Sequence, residues 1–155
     1  MKIKTLVLIV FATLGWTSIQ AAPAPDNGAD RERVKAILAA HDKLEPGIEE
    51  YFASVAEDVI LMPNGAPAIE GKAAYRRHVE EFYASGKIQI SHQVLEVYSF
   101  AEVVIVRGRA VGTYQAPGQQ AINAFETKNV FVFRREPGDR LQVWQIIFND
   151  SPRTS

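Results

Sequence analysis

The apolar positions of this chain change period after its first half. Val34, Ile37, Leu38, His41 and Leu44 recur at intervals of three and four, so they share one face of a helix. Asn27 is the expected start of that helix, with Asp30 three residues on in the manner of a capping box. Pro46 suits the first position of a second, short helix showing Ile48, Tyr51, Phe52 and Val55 on one side. Val59 to Met62 is a short apolar strand closed by Pro63, and Asn64-Gly65 turns the chain onward. A third helix is expected from Lys72 to Ser85, striped by Tyr75, Val79, Phe82 and Tyr83 and stopped by Gly86.

Beyond Gly86 the period shortens to two. Ile88, Ile90, His92 and Val94 alternate, then Leu95 and Val97 change parity, which predicts a bulge. Three more strands follow: Val103 to Tyr114, Ala124 to Arg135, and Leu141 to Phe148. Ala116-Pro117-Gly118 and Glu136-Pro137-Gly138-Asp139 are the turns between them. Helices first and antiparallel strands after predict an α+β fold with helices on one face of the sheet. The strand from Ala124 is apolar on both parities, with Phe125, Phe131 and Phe133 on one and Val130 and Val132 on the other. A sheet with one wet face alternates more cleanly. Both faces are therefore expected to be covered, the second by another copy in a homodimer.

The N-terminus changes the picture of compartment. Lys2 and Lys4 precede an apolar run from Leu6 to Trp16, and Ser18-Ile19-Gln20-Ala21 is a small-residue exit. The run is shorter than the roughly 20 residues a membrane span needs. It reads as a signal peptide, residues 1–21, cleaved after Ala21. A linker, residues 22–29, and one domain, residues 30–151, follow, and the mature protein is expected to be periplasmic or secreted. Of 17 basic and 18 acidic residues, cleavage removes Lys2 and Lys4, leaving 15 against 18. With no basic run, nucleic-acid binding lacks its electrostatic footprint. No membrane association is expected after cleavage. The chain has no Cys, which excludes disulfides, thiol nucleophiles and thiolate metal sites.

Several strings together resemble the nuclear transport factor 2-like superfamily, in its ketosteroid isomerase-like and SnoaL-like branch. They are Val34 to Asp42, Glu57 to Gly71, Tyr75 to Gly86, Ile90 to Val97, Val106-Arg107-Gly108 and Val143 to Asp150. The resemblance implies a cone-shaped curved antiparallel sheet wrapped around three helices, with a pocket between them. It does not imply one reaction, because that pocket serves isomerases, cyclases, hydrolases, dehydratases and pure binders.

Ketosteroid isomerases abstract a proton with a carboxylate and stabilise the enolate with a tyrosine and a protonated acid. The base stands just before a Pro-x-Gly turn. Here that turn is Pro63-Asn64-Gly65, and Met62 stands before it. A thioether does not accept a proton near neutral pH, so classical steroid isomerisation is not expected. By the same resemblance the second acid falls near Asn129 and the tyrosine near His41.

The candidate catalytic residues are His41, inward on the first helix, and Asn129, an inward amide among Phe125, Phe131 and Phe133. Met62, Tyr51, Phe82, His92, Phe131, Trp144 and Asp150 are the expected ligand-binding residues, most of them apolar. His78 is placed at the rim. The three histidines lie on three elements and match no metal-binding motif, so no metal and no cofactor are expected. Three functions stay open. One is an exported pocket protein for a small apolar molecule. Another is a cofactor-free isomerase, hydrolase or dehydratase using His41 and Asn129. The last is a dimerisation or accessory module with a filled pocket.

Overall fold

The computed structural model describes residues 28–43 and 47–151. The expected signal peptide, residues 22–27 of the linker, the cap at Asn27, and Leu44 and Pro46 lie outside these. Helix α1 spans Gly28–Asp42 and α2 Gly47–Ala53. Gly28 and Ala29 thus belong to a helix, not to a linker. Strand β1 (Val55–Met62), the two-residue β2 (Ile69–Glu70) and α3 (Lys72–Ala84) follow. Then come β3 (Lys87–Ser99), β4 (Val103–Gln115), β5 (Asn123–Glu136) and β6 (Arg140–Asp150). The architecture is α+β, with three helices and one curved sheet of order β2-β1-β6-β5-β4-β3.

Two strand expectations need correction. Val55 begins β1, opposite Val143, and is not part of the second helix. The sheet is also mixed, because β1 lies parallel to β6. The intervening chain returns to the same end of the sheet through α3 and three antiparallel strands, so the parity of the last strand sets this direction.

Register shifts bend the sheet. One lies between Val94 and Glu96 in β3, where the parity change at Leu95 placed it. Another sets Val132 opposite Gln145 but Phe133 opposite Val143, so Trp144 is the extra residue in β6. Inside the curve, α1 and α2 pack Val34, Leu38, Tyr51 and Phe52 against Val97, Val104, Val106, Phe133 and Val143.

Asp30 anchors the first turn of α1 to the sheet. Its side chain is fully buried and holds a bidentate pair with Arg135 at 2.8 and 3.2 Å. Ser99 Oγ donates to it at 2.7 Å, and Arg33 bonds both Asp30 and Asp139. Burial alone would raise the carboxyl pKa, but the bonds from Arg135 and Ser99 outweigh it and lower it. The cluster ties the start of α1 to the β5–β6 turn.

The core fills one end of the curve only. Along β4 the inward positions read Val104, Val106, Gly108, Ala110, Gly112 and Tyr114. The large residues meet the helices. Where Gly108, Ala110 and Gly112 follow, the sheet stands back and a hollow remains.

Candidate functional site

That hollow measures about 360 Å³, in the range of small-molecule sites. Helix α3 gives it Tyr75, His78, Val79, Phe82 and Tyr83, and α1 gives His41. The sheet gives Leu61, Ile90, His92, Ala110 and Tyr114, then Phe125, Thr127, Asn129, Phe131, Ile146, Phe148 and Asp150. Most of this surface is apolar. The polar groups gather at His41 and His92 on one side, at Thr127 and Asn129 on the sheet, and at Asp150.

His92 is the most firmly held of them. Its Nδ1 lies 2.5 Å from Asp42 Oδ1, and its backbone N–H donates to Asp42 Oδ2 at 2.8 Å. Its ring meets Phe131 edge to face at 5.7 Å and His41 at 4.8 Å. Burial acts to raise the Asp42 pKa, but the two imidazoles and the His92 amide more than reverse this. The carboxyl is held well below the ordinary carboxylate range and is ionised at neutral pH. An ionised acceptor requires His92 Nδ1 to be the donor, which leaves Nε2 as the ring nitrogen not engaged by Asp42.

His41 stands beside this pair without joining it. Its Nδ1 is 3.8 Å from Asp42 Oδ1, beyond hydrogen-bond reach, and is buried without a partner among the described residues. Burial lowers the His41 pKa; Asp42 opposes this, and His92 adds to it. The ring also meets Tyr51 edge to face at 4.6 Å. The hydroxyls of Tyr51 and Tyr75 share a 2.8 Å hydrogen bond, while that of Tyr83 is buried and has no partner among the described residues. Desolvation raises the pKa of all three tyrosines, so each is a neutral phenol.

His41, Asp42 and His92 bring ligand atoms within 4.8 Å of one another, a set that could hold a divalent cation. The 2.5 Å contact between two of those atoms is a proton-sharing distance. Two donors on one tetrahedral zinc stand roughly 3.3 Å apart.

Six of the nine expected site residues line the hollow: His41, Phe82, His92, Asn129, Phe131 and Asp150. Three do not. Met62 is opposite Ile147, which points outward, whereas the inward pair is Leu61 and Ile146. The thioether therefore does not stand in the cavity in place of a base. Trp144 is turned outward at the β6 bulge, under the Arg134 guanidinium at 5.5 Å, with Nε1 donating to Asp58 at 3.2 Å. Tyr51 is sealed behind the wall, 1% exposed, holding Tyr75.

Asp42, which the sequence reading did not single out, reaches the wall through His92. A signal for it was present. An acid at the C-terminal end of a helix opposes the helix dipole, so Asp42 at the last position of α1 needed a partner. Thr127 was also missed, although its parity with Asn129 and Phe131 made it an inward polar group.

Residues 31–143 match the SnoaL-like domain. The chain belongs to the SnoaL-like family. Solved structures of similar shape agree with this SnoaL-like protein's fold. A ketosteroid isomerase-like protein from Erwinia carotovora atroseptica has TM-score 0.69 at 20% identity, over 79% of this chain and 94% of that one. A proposed dehydratase of the NTF2-like family from Streptomyces avermitilis has TM-score 0.69 at 18% identity, over 82% and 100%. An NTF2-like protein with a cystatin-like fold from Novosphingobium aromaticivorans has TM-score 0.66 at 17% identity, over 77% and 80%. At these identities the likeness concerns the fold alone. Among curated proteins, none matches the SnoaL-like chain.

Proposed function

We propose that this protein is an exported, cofactor-free acid–base catalyst acting on a small, mostly apolar molecule. The observation that carries the reading is the double attachment of His92 to Asp42, which fixes both ring and tautomer. A base held this way needs no reorganisation when a proton moves. A carbon made acidic by its neighbour gives its proton to His92 Nε2, and the C–H electron pair passes into that neighbour. The proton then returns to the same carbon, goes to another in an isomerisation, or leaves on a β-hydroxyl as water. The apolar lining supports a ligand that is largely hydrocarbon.

Capture of such a molecule without turnover is the second reading, and the open volume of the cavity favours it over a filled accessory module. Export rests on Lys2, Lys4 and the apolar run that follows. Among the described residues, no helix is long and apolar enough to cross a membrane. Pairing of two copies through the outer sheet face belongs to the same proposal.

The test is deuterium exchange at the α-carbons of 2-tetralone in D₂O, followed by NMR. Wild-type protein is expected to accelerate exchange about 10²–10⁴-fold, and His92→Gln to return it to the buffer rate with its circular dichroism unchanged. No acceleration, or full acceleration in His92→Gln, would contradict the reading.

A further inference from the structure

One cross-strand row crosses the sheet side of the cavity. His92 on β3 stands opposite Ala110 on β4, Ala110 opposite Thr127 on β5, and Thr127 opposite Asp150 on β6. All four line the hollow. Neighbouring strands lie roughly 4.8 Å apart, so three spacings put about 14 Å of sheet between His92 and Asp150. The two side chains between them are small and leave room above the row. At one end stands the imidazole held by Asp42, at the other an exposed carboxylate.

Asp150 is the one Asp or Glu that lines the hollow, and no Lys or Arg does. Asn64 Nδ2, in the turn after β1, donates to its Oδ2 at 2.9 Å and fixes where the carboxylate sits. Its other oxygen has no partner among the described residues. Thr127 Oγ1 has spent its one proton on Asn129 Oδ1, at 2.7 Å, and keeps only lone pairs to offer. Directly opposed side chains of antiparallel strands start about 5 Å apart. Two acceptors therefore stand side by side at this end, with no basic side chain between them.

We propose that Asp150 and Thr127 form a cation subsite, and that the ligand is an apolar molecule with an ammonium group at the end away from His92. An ammonium has N–H donors for both acceptors and the charge that Asp150 attracts. Phe125, the next inward residue along β5, adds an aromatic ring, and such rings favour cations. An anion finds no Lys or Arg on this wall and is repelled by Asp150, so the subsite rejects as well as selects. The subsite rests on the reading of the hollow as a small-molecule site, not on proton transfer at His92.

The probes are 4-phenylbutylamine, 4-phenylbutan-1-ol and 4-phenylbutanoic acid, which share one apolar body and differ in the charge of one end. Calorimetric titration of the wild-type protein at pH 7 and low salt is expected to show the amine binding about fivefold tighter than the alcohol. The acid binds more weakly than either. The amine's advantage shrinks as salt rises from roughly 0.02 to 0.5 M, because an exposed pair is screened. Asp150→Asn, nearly the same shape, brings the amine down to the affinity of the alcohol and leaves the alcohol as in the wild type, which shows the cavity intact. Alcohol bound as tightly as amine by the wild type, or an amine preference that survives Asp150→Asn, overturns the subsite alone. No binding of any of the three overturns the small-molecule reading with it. Amine preference without α-proton exchange in 2-tetralone supports the subsite and counts against the acid–base reading alone.

Discussion

The residues that matter most to this site carry their chemistry through a neighbour. In the proposed reading His92 is a base whose ring Asp42 holds, and Thr127 donates to the oxygen of Asn129 beside it. Pairs of this kind are hard to read from sequence. Parity along the third long strand placed Asn129, Phe131 and Phe125 inward, and helical spacing placed His41. The separation of 50 residues between Asp42 and His92 carries no local signal, so their meeting is a product of the fold. The burial of His41 beside that pair gives a pH prediction. Burial lowers the folded-state pKa of His41. Below the ordinary imidazole value, roughly 6.5, the unfolded chain therefore binds a proton that the folded one refuses. Stability must fall as pH drops from 7 toward 5. Melting temperatures across that window are expected to decline in the wild type and to flatten in His41→Gln; equal slopes in the two proteins would contradict the assignment.

At the scale of elements, the cavity owes its existence to a change of side-chain size within β4. Val104 and Val106 fill the space under α1 and α2, and Gly108, Ala110 and Gly112 leave it open under α3. A Cβ at Gly108 would come within 2.7 Å of the Gln93 carbonyl oxygen, and one at Gly112 within 2.2 Å of that of Gln89. These two positions therefore serve strand packing as well. Ala110 is the one of the three where bulk can be added toward the hollow. Ala110→Leu is expected to lower 2-tetralone affinity at least tenfold, about 1.4 kcal/mol, and to melt no lower than wild type. A clear loss of stability with binding retained would show that the side chain meets packed atoms instead. Element order and most strand limits were legible, because periods of 3.6 and 2 separate cleanly here. The bulge at Leu95 was legible for the same reason. The one at Trp144 was not: Val143, Trp144, Ile146 and Ile147 are apolar on both parities, so an extra residue changes nothing visible. Misplacing Trp144 in the pocket follows from that ambiguity, whereas Met62 was placed there by its position before the Pro63-Asn64-Gly65 turn.

For the whole molecule, the outer face of the sheet explains the apolar surplus that the strands showed. Tyr98, Leu95 and Ile147 are 42, 42 and 37% exposed, and Val130 is opposite Ile147 in the register. Arg107 stands opposite Val130 and pairs with Glu96 on β3 at 2.5 and 2.8 Å. An exposed pair like this contributes little to stability but favours orientation. Ile147→Glu places a charge beside Val130 on this face. Sedimentation is expected to show a dimer for the wild type and a monomer for this variant, and a wild-type monomer at micromolar concentration would remove the assembly. The cavity opens on the opposite face, so monomeric Ile147→Glu should still bind 2-tetralone. The central claim is more local than any of this: the imidazole of His92 is held by Asp42 with its free nitrogen toward a bound molecule. Nitrogen-15 NMR of the histidine rings, with and without 2-tetralone, reads it directly. The account predicts that His92 Nδ1 carries the proton and that only the Nε2 resonance shifts when the ketone binds. A proton on Nε2, or an Nε2 resonance indifferent to the ketone, would contradict it.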